Sequence, residues 1–342
     1  MMPPYKTLFI TERGLFHQQR ALSAAPPELT VTMLRHPSAD ELLPHLPDVD
    51  YLISERTGVV DAQLIQAAPR LRLILRLGSL THDIDIEAAR AAGVVVCTWP
   101  DPGVIAVAEH VMLQLLAVSK KLNEVQGVAR AASADWRESK RTDEDTFAYN
   151  WSGRTGIYNL YQATVGILGF GEIGAEVARR LRGWGCTVLY NKRTRLPERI
   201  EQELGMQYAT VETLQQQSDY VVNMLPYFAE TDLLLNAAWL NQLKPGASLV
   251  SCGSGSVIDE AALAQAVLSG NLRGAALDTF EWEPIRVDNP LVAAAAAGAN
   301  IVLTPHTAAG GVAASATDNS RARDYAPILR HLRGEPVPNR MV

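Results

Sequence analysis

Val165-Gly166-Ile167-Leu168-Gly169-Phe170-Gly171-Glu172-Ile173-Gly174 is the stretch on which the fold of this 342-residue chain turns. An apolar strand runs directly into G-x-G-x-x-G, and a helix is predicted over 173–182. Gly169 permits the tight turn. Gly171 lets the backbone approach a pyrophosphate, and Gly174 allows close packing of helix on strand. The N–H groups of the helix start, with its positive dipole end, face the anion. Strand, turn and helix in that order separate this motif from a glycine-rich turn with no ligand. The turn, with Phe170, Glu172 and Ile173 between the glycines, is predicted to bind a nicotinamide dinucleotide.

Outward from this turn the pattern repeats. Strands are predicted at 164–168, 187–190, 220–224, 248–252, 274–278 and 300–303, with helices such as 173–182 and 260–269 between them. Short apolar strands alternating with helices form a parallel sheet covered on both faces. The first hundred residues show the same rhythm, with strands at 5–11, 50–54, 71–77 and 94–98. A helix over 83–92 is stopped there by Gly93. The fold class is therefore α/β, with two doubly wound parallel-sheet domains, Rossmann- and flavodoxin-like, joined by long helices. One long, mostly buried helix is predicted over 104–125, with Pro102 and Gly103 marking its start, and another helix over 321–333. Residues 129–161 are polar and irregular and read as an extended arm. Trp136, Tyr149, Trp151 and Tyr158 in that arm need a packing surface, which a second subunit would provide.

Composition narrows the function classes. With 47% hydrophobic and 20% charged residues and a net charge of −6, the chain has the make-up of a globular protein. That charge offers no electrostatic basis for nucleic-acid or anionic-membrane binding. The basic clusters Arg179/Arg180/Arg182 and Lys192/Arg193/Arg195 are local. No run of eighteen apolar residues is read from the sequence, so no membrane span is expected. The initial apolar run is too short for a signal peptide. Cys97, Cys186 and Cys252 show neither metal-ligand spacing nor a disulfide framework, which points to no metal and a cytoplasmic location.

The choice of dinucleotide is read at the end of the second strand of the nucleotide domain. A site for NAD usually places Asp or Glu there to accept from the ribose 2′-OH. Here the residues are Asn191-Lys192-Arg193-Thr194. Asn191 removes the carboxylate that would repel a 2′-phosphate, and Lys192 or Arg193 can pair with that phosphate. The alternative is a solvated basic loop. NADP is expected ahead of NAD, with NAD still possible.

Two strand ends carry ionisable groups: Asp278-Thr279-Phe280-Glu281-Trp282-Glu283-Pro284 and Thr304-Pro305-His306-Thr307. Hydride transfer to a carbonyl needs a proton donor near neutral pH, which suits His306, and a carboxylate such as Glu283 can orient the imidazole. Leu225-Pro226…Thr231, Lys244-Pro245-Gly246, Val257-Ile258-Asp259-Glu260-Ala261-Ala262-Leu263, Ala276-Leu277-Asp278, Phe280, Glu283-Pro284 and Thr304-Pro305-His306 follow the glycine turn in order. Together with Ala68-Pro69-Arg70-Leu71, Asp83-Ile84-Asp85, Val107-Ala108-Glu109 and the ending Gly334-Glu335-Pro336, they resemble the NAD(P)-dependent D-isomer-specific 2-hydroxyacid dehydrogenases over nearly the whole chain. The resemblance implies a substrate domain of residues 1–101 plus 310–342 and a nucleotide domain of 102–309. It implies His306 as acid/base with Glu283 as its partner, and Asp278 on the nicotinamide carboxamide. Leu225, Pro226 and Thr231 would border the adenine side, and Cys252 and Gly253 would line the cofactor. Backbone N–H groups of Gly78-Ser79-Leu80 would hold a substrate carboxylate. Leu80, Trp99 and 100–103 are candidates for its side chain, and a homodimer through the nucleotide domain is implied.

One position departs from that pattern. The arginine that opens the family's R-G-x-x-V-D-E-x-A-L run is replaced by Ser254, in Ser254-Gly255-Ser256-Val257-Ile258-Asp259-Glu260. A guanidinium there binds carboxylate and carbonyl bidentately and stabilises charge developing on oxygen, which a serine hydroxyl cannot do. Three readings follow. The chain reduces a substrate that lacks the α-carboxylate, or whose anion is held elsewhere, with Arg56, Arg76 and His82 as candidates. It is a weak 2-oxoacid reductase. Or it binds NADP with little turnover, as a sensor or interaction protein. The retained His306 and Glu283 favour chemistry.

Overall fold

The computed structural model describes residues 4–55, 57–132, 138–310 and 320–342. Two compact units divide the chain, one of Met1–Ile105, Leu196–Ile200 and Ala309–Val342, the other of Ala106–Arg195 and Glu201–Ala308.

The first unit holds β1 (Tyr5–Thr11), β2 (Leu29–Arg35), β3 (Tyr51–Glu55), β4 (Leu73–Arg76) and β5 (Val95–Thr98). They pair in the order β2-β1-β3-β4-β5, all parallel. Alternate residues serve opposite faces. Leu8, Ile10, Leu52, Ile74 and Val96 enter one core, while Phe9, Tyr51, Ile53, Leu73, Leu75 and Cys97 enter the other. This two-sided burial is why these strands read as unbroken apolar runs. β2 is absent from the sequence expectation. It is an edge strand in which only Leu29 is fully buried and threonines alternate, so its apolar contrast is weak. The helix expected over 83–92 is shorter, Ile86–Ala91, capped by the Asp85 carboxylate accepting from the Ala88 N–H at 2.9 Å. That expected over 321–333 divides into a 3-10 turn, Ser320–Tyr325, and an α-helix, Ala326–Leu332. Pro327 explains the break, since it has no N–H to continue the ladder and disfavours helical geometry at the residue before it.

The second unit contains β6 (Thr164–Leu168), β7 (Thr187–Asn191), β8 (Met206–Tyr208), β9 (Tyr220–Asn223), β10 (Ala247–Ser251), β11 (Leu272–Leu277) and β12 (Ile301–Leu303). Their order is β12-β11-β10-β9-β6-β7-β8, again all parallel. β8, a three-residue edge strand, is the one missing from the sequence expectation. The strand order reverses about β6, so the switch point lies at the ends of β6 and β9, where ligands bind in such sheets.

The long helix expected over 104–125 is two helices, Pro102–Ser119 and Leu122–Ala131, separated by Lys121 in the left-handed region at φ 50°. Tertiary contacts redirect the chain there. Lys120 Nζ donates to the Tyr158 carbonyl at 2.6 Å, and Asn123 Nδ2 donates to the Ile301 carbonyl at 3.1 Å. Pro102–Ser119 has a mean hydropathy of 1.5 over its 18 residues, so by length and composition it could cross a membrane, although Glu109, His110 and Gln114 interrupt its apolar run. Its polar side chains His110 and Gln114 hydrogen-bond Thr304 within the second unit, and Ala108, Val111, Leu115 and Val118 are buried. That is the pattern of a core helix.

In the arm, residues 138–161 form no helix or strand. The Arg273 guanidinium lies 4.4 Å from the Tyr158 ring centroid and 4.6 Å from that of Tyr220. Phe147, Tyr149 and Tyr161 are exposed. Trp136, named as an arm aromatic, and Arg56, a candidate anion partner, lie outside the described residues.

Candidate active site

The glycine turn leaves β6 at the switch point. Gly169 has φ +83°, and a Cβ there would lie 2.7 Å from the Leu225 backbone nitrogen. At Gly174 a Cβ would meet the Phe170 ring at 2.9 Å. At Gly171 it would meet nothing within 4 Å. Two of the three glycines are thus required by protein packing. The third faces open space at the start of the helix Glu172–Leu181, a cradle that fits a pyrophosphate.

Around it, the second strand ends as expected without a carboxylate. The Asn191 side-chain amide donates to the Ala209 carbonyl at 2.8 Å, and the Asn191 carbonyl accepts from Phe170 N at 3.0 Å. Arg195, third of that basic cluster, is committed to Glu201 at 2.7 Å. Arg193 and Thr194 are exposed and Lys192 half-buried, and Arg193 lies 5.8 Å from the centroid of the Phe228 ring. The Thr231 hydroxyl is occupied within its own loop, donating to the Pro226 carbonyl and accepting from Phe228 N at 2.8 Å.

Three neighbouring strands, β10, β11 and β12, deliver the remaining residues. After β10, Cys252 N and Gly253 N donate to the Asn223 carbonyl, and Ser254 N donates to the Leu225 carbonyl at 2.9 Å. A Cβ on Gly255 would sit 2.0 Å from the Phe280 main chain. The β10 and β11 loops are further joined by Thr279 Oγ1 donating to the Gly253 carbonyl at 2.6 Å. Ser254 is half-buried, and its side chain makes no capping bond to the 3-10 turn it precedes. Burial, together with the Asp278 carboxylate, pushes the Cys252 thiol up, so it stays protonated and donates to Gln114 Oε1 at 3.3 Å.

His306 Nδ1 and Glu283 Oε2 are 2.6 Å apart. The other oxygen of Glu283 accepts from Phe280 N at 3.0 Å, which fixes the carboxylate. Since an ionised carboxylate only accepts, Nδ1 carries the hydrogen of that bond, leaving Nε2 for the second proton. Asp278 is 1% exposed. Its Oδ1 accepts from Thr304 Oγ1 at 2.6 Å and Thr307 N at 3.0 Å, and its Oδ2 from Ala308 N at 2.9 Å. It therefore organises the turn that carries His306, a demand not foreseen beside its expected contact with a carboxamide. Glu260 has a similar part in the loop after β11, accepting from Glu281 N and Asn289 Nδ2, and burial raises its pKa. His110, Gln114 and Glu260 were missed as site residues. The available signal for the first two was a pair of polar residues four apart on a largely apolar helix.

Gly78, Ser79 and Leu80 follow β4 in the first unit. Gly78 N donates to the Trp99 carbonyl at 3.1 Å. Leu80 is 3% exposed. Arg76 is buried and bonded to Asp83 at 3.0 Å and to the Leu77 carbonyl at 2.6 Å. It is spent on holding this loop.

A dinucleotide cradle at the switch point, with a carboxylate-backed histidine on the same sheet's strand ends, defines a nicotinamide-dependent oxidoreductase. Residues 129–308 match the family model for D-isomer specific 2-hydroxyacid dehydrogenase, NAD binding domain. A glyoxylate reductase of Thermococcus onnurineus is 36% identical over 270 residues, 79% of this chain and 76% of that protein. A D-3-phosphoglycerate dehydrogenase of Mycobacterium leprae is 32% identical over 321 residues, 94% of this chain and 56% of that protein. Among solved structures, the PH0520 protein of Pyrococcus horikoshii aligns with a TM-score of 0.57 at 28% identity, covering 99% of this chain and 95% of that one. The chain belongs to the D-isomer-specific 2-hydroxyacid dehydrogenase family and is an NAD(P)-dependent oxidoreductase acting on CH–OH donors.

Proposed function

We propose that this enzyme works as an NADPH-dependent reductase of small 2-oxoacids or related carbonyl compounds, with His306 as its proton donor. The observation that carries the reading is the 2.6 Å contact between His306 Nδ1 and Glu283. A non-catalytic binder has no use for a histidine backed in this way. Bound reduced nicotinamide supplies the hydride to the carbonyl carbon. His306, protonated on both nitrogens, gives its Nε2 proton to the oxygen, while Glu283 holds the Nδ1 hydrogen and stabilises the imidazolium beforehand. Asp278 Oδ2 retains acceptor capacity for a carboxamide N–H.

The test is purified protein with NADPH, following absorbance with glyoxylate, hydroxypyruvate, phenylpyruvate and simple ketones. Turnover of at least one 2-oxoacid is expected, at a rate limited by the absent arginine. Tight NADPH binding with no turnover across the panel would instead favour the sensor reading.

The preference for NADP rests on Asn191, which offers no carboxylate to the ribose, and on the exposed Arg193 beside it. Arg193→Ala is expected to raise the KM for NADPH about tenfold, the loss of one charge-assisted phosphate contact, and to leave the KM for NADH within about twofold. Equal changes for both cofactors would remove Arg193 from the 2′-phosphate site. Self-association is supported by the arm, where Phe147 is 71% and Tyr149 87% exposed, apolar surface that a second copy would cover.

A further inference from the structure

His110 and Gln114 stand four residues apart on the helix Pro102–Ser119 and so share one face. The His110 side chain is 11% exposed and Gln114 is 1% exposed. Both reach the same oxygen, Thr304 Oγ1, from His110 Nε2 at 2.9 Å and Gln114 Nε2 at 3.3 Å. A threonine hydroxyl has one proton, and the 2.6 Å bond to the Asp278 carboxylate takes it. The hydroxyl must therefore accept from both neighbours, and His110 carries a hydrogen on Nε2. That nitrogen is also 3.3 Å from Asp278 Oδ1.

Asp278 in turn receives Thr307 N and Ala308 N on its carboxylate and His306 N on its carbonyl, at 2.8 Å. His306 itself has φ 51°, a left-handed conformation unusual for a residue with a side chain. A buried carboxylate is stable only when its acceptor sites are filled. Its donors here come from the His306 turn and from His110. Gln114 extends the chain of bonds to Cys252, two residues before Ser254.

We propose that His110, supported by Gln114, is a positioning residue: it anchors Thr304 and Asp278 and thereby holds the 304–308 turn in the conformation that sets His306 against Glu283. It touches neither Glu283 nor the His306 ring, so its effect on the reaction is exerted through the turn. The inference rests on the reductase reading above only for its kinetic consequence.

The test compares His110→Phe, which keeps a ring and removes the donor, with His110→Gln, whose amide can place an N–H near the Nε2 position. Hydrogen exchange followed by mass spectrometry reads the amides of 304–308 without reference to activity. In His110→Phe these amides are expected to exchange at least about fivefold faster, with the β1 and β9 strands unchanged. With NADPH and glyoxylate, kcat is expected to fall at least about tenfold while KM stays within about twofold, the signature of a misplaced proton donor. His110→Gln is expected to restore both. If His110→Phe does not fold, Gln114→Leu removes the second donor to Thr304 and gives the same comparison. Unchanged exchange at 304–308, exchange raised evenly over the whole sheet, or a Gln variant as impaired as the Phe variant would overturn the proposal. Absence of turnover in the unmodified protein would strike the reductase reading alone, and the exchange comparison would then decide the positioning role.

Discussion

Replacing His306 by glutamine is expected to lower kcat about 10²–10⁴-fold, the usual contribution of a positioned acid or base, while leaving NADPH affinity unchanged. Glutamine keeps similar reach and a hydrogen-bond donor but has no proton to give. The glycine cradle, where the affinity is expected to reside, follows β6, which is separated from β12 by three strands of the sheet. Single-turnover oxidation of NADPH, with binding followed separately by its fluorescence, checks both halves. Glu283→Gln is expected to cost less than His306→Gln. The Glu283 side chain is 36% and the His306 side chain 60% exposed, so water can share in orienting the ring. A His306→Gln enzyme working within about fivefold of the parent would take the proton donor away from His306.

Ser254→Arg is expected to raise kcat/KM for 2-oxoacids by roughly 10²–10³, the range found when a preorganised donor to a developing oxyanion is lost or supplied. The backbone at this position is held independently of the side chain, by Ser254 N on the Leu225 carbonyl and by Gly255 packed on Phe280. A half-buried serine with no capping bond can therefore be exchanged without disturbing the turn. Initial rates with glyoxylate and hydroxypyruvate measure the gain, and simple ketones, which lack the carboxylate, are expected to gain less. A folded variant with unchanged or lower rates on 2-oxoacids would mean that Ser254 does not occupy the arginine's place.

The elements legible from sequence were those whose residues are buried on both sides of a sheet or marked by glycine. β1 and β6 were read with their observed ends, and β10 and β11 within two residues. β2 and β8 were missed as strands that bury one residue each at a sheet edge, where exposure dilutes the apolar pattern, although the edge strands β5 and β12 were read. The break at Lys121 has no proline or glycine to announce it. It is set by bonds from Lys120 and Asn123 to residues far along the chain. At the site, His306 and Glu283 were readable as a pair at two strand ends, and the structure brings them to 2.6 Å.

The sequence by itself determined that a dinucleotide turn sits between strand and helix, because strand period, glycine spacing and helix start are all local properties. It also determined that the acceptor strand end lacks a carboxylate and that position 254 lacks a guanidinium, since both are matters of residue identity. Tertiary structure alone decided what Asp278, Thr304, His110 and Gln114 do together. A buried carboxylate must collect its donors from wherever the fold brings them, and two of those donors, His110 and Thr304, lie 194 residues apart in the chain. It likewise decided what Arg76 does, because its buried guanidinium is bonded to the Asp83 carboxylate and the Leu77 carbonyl.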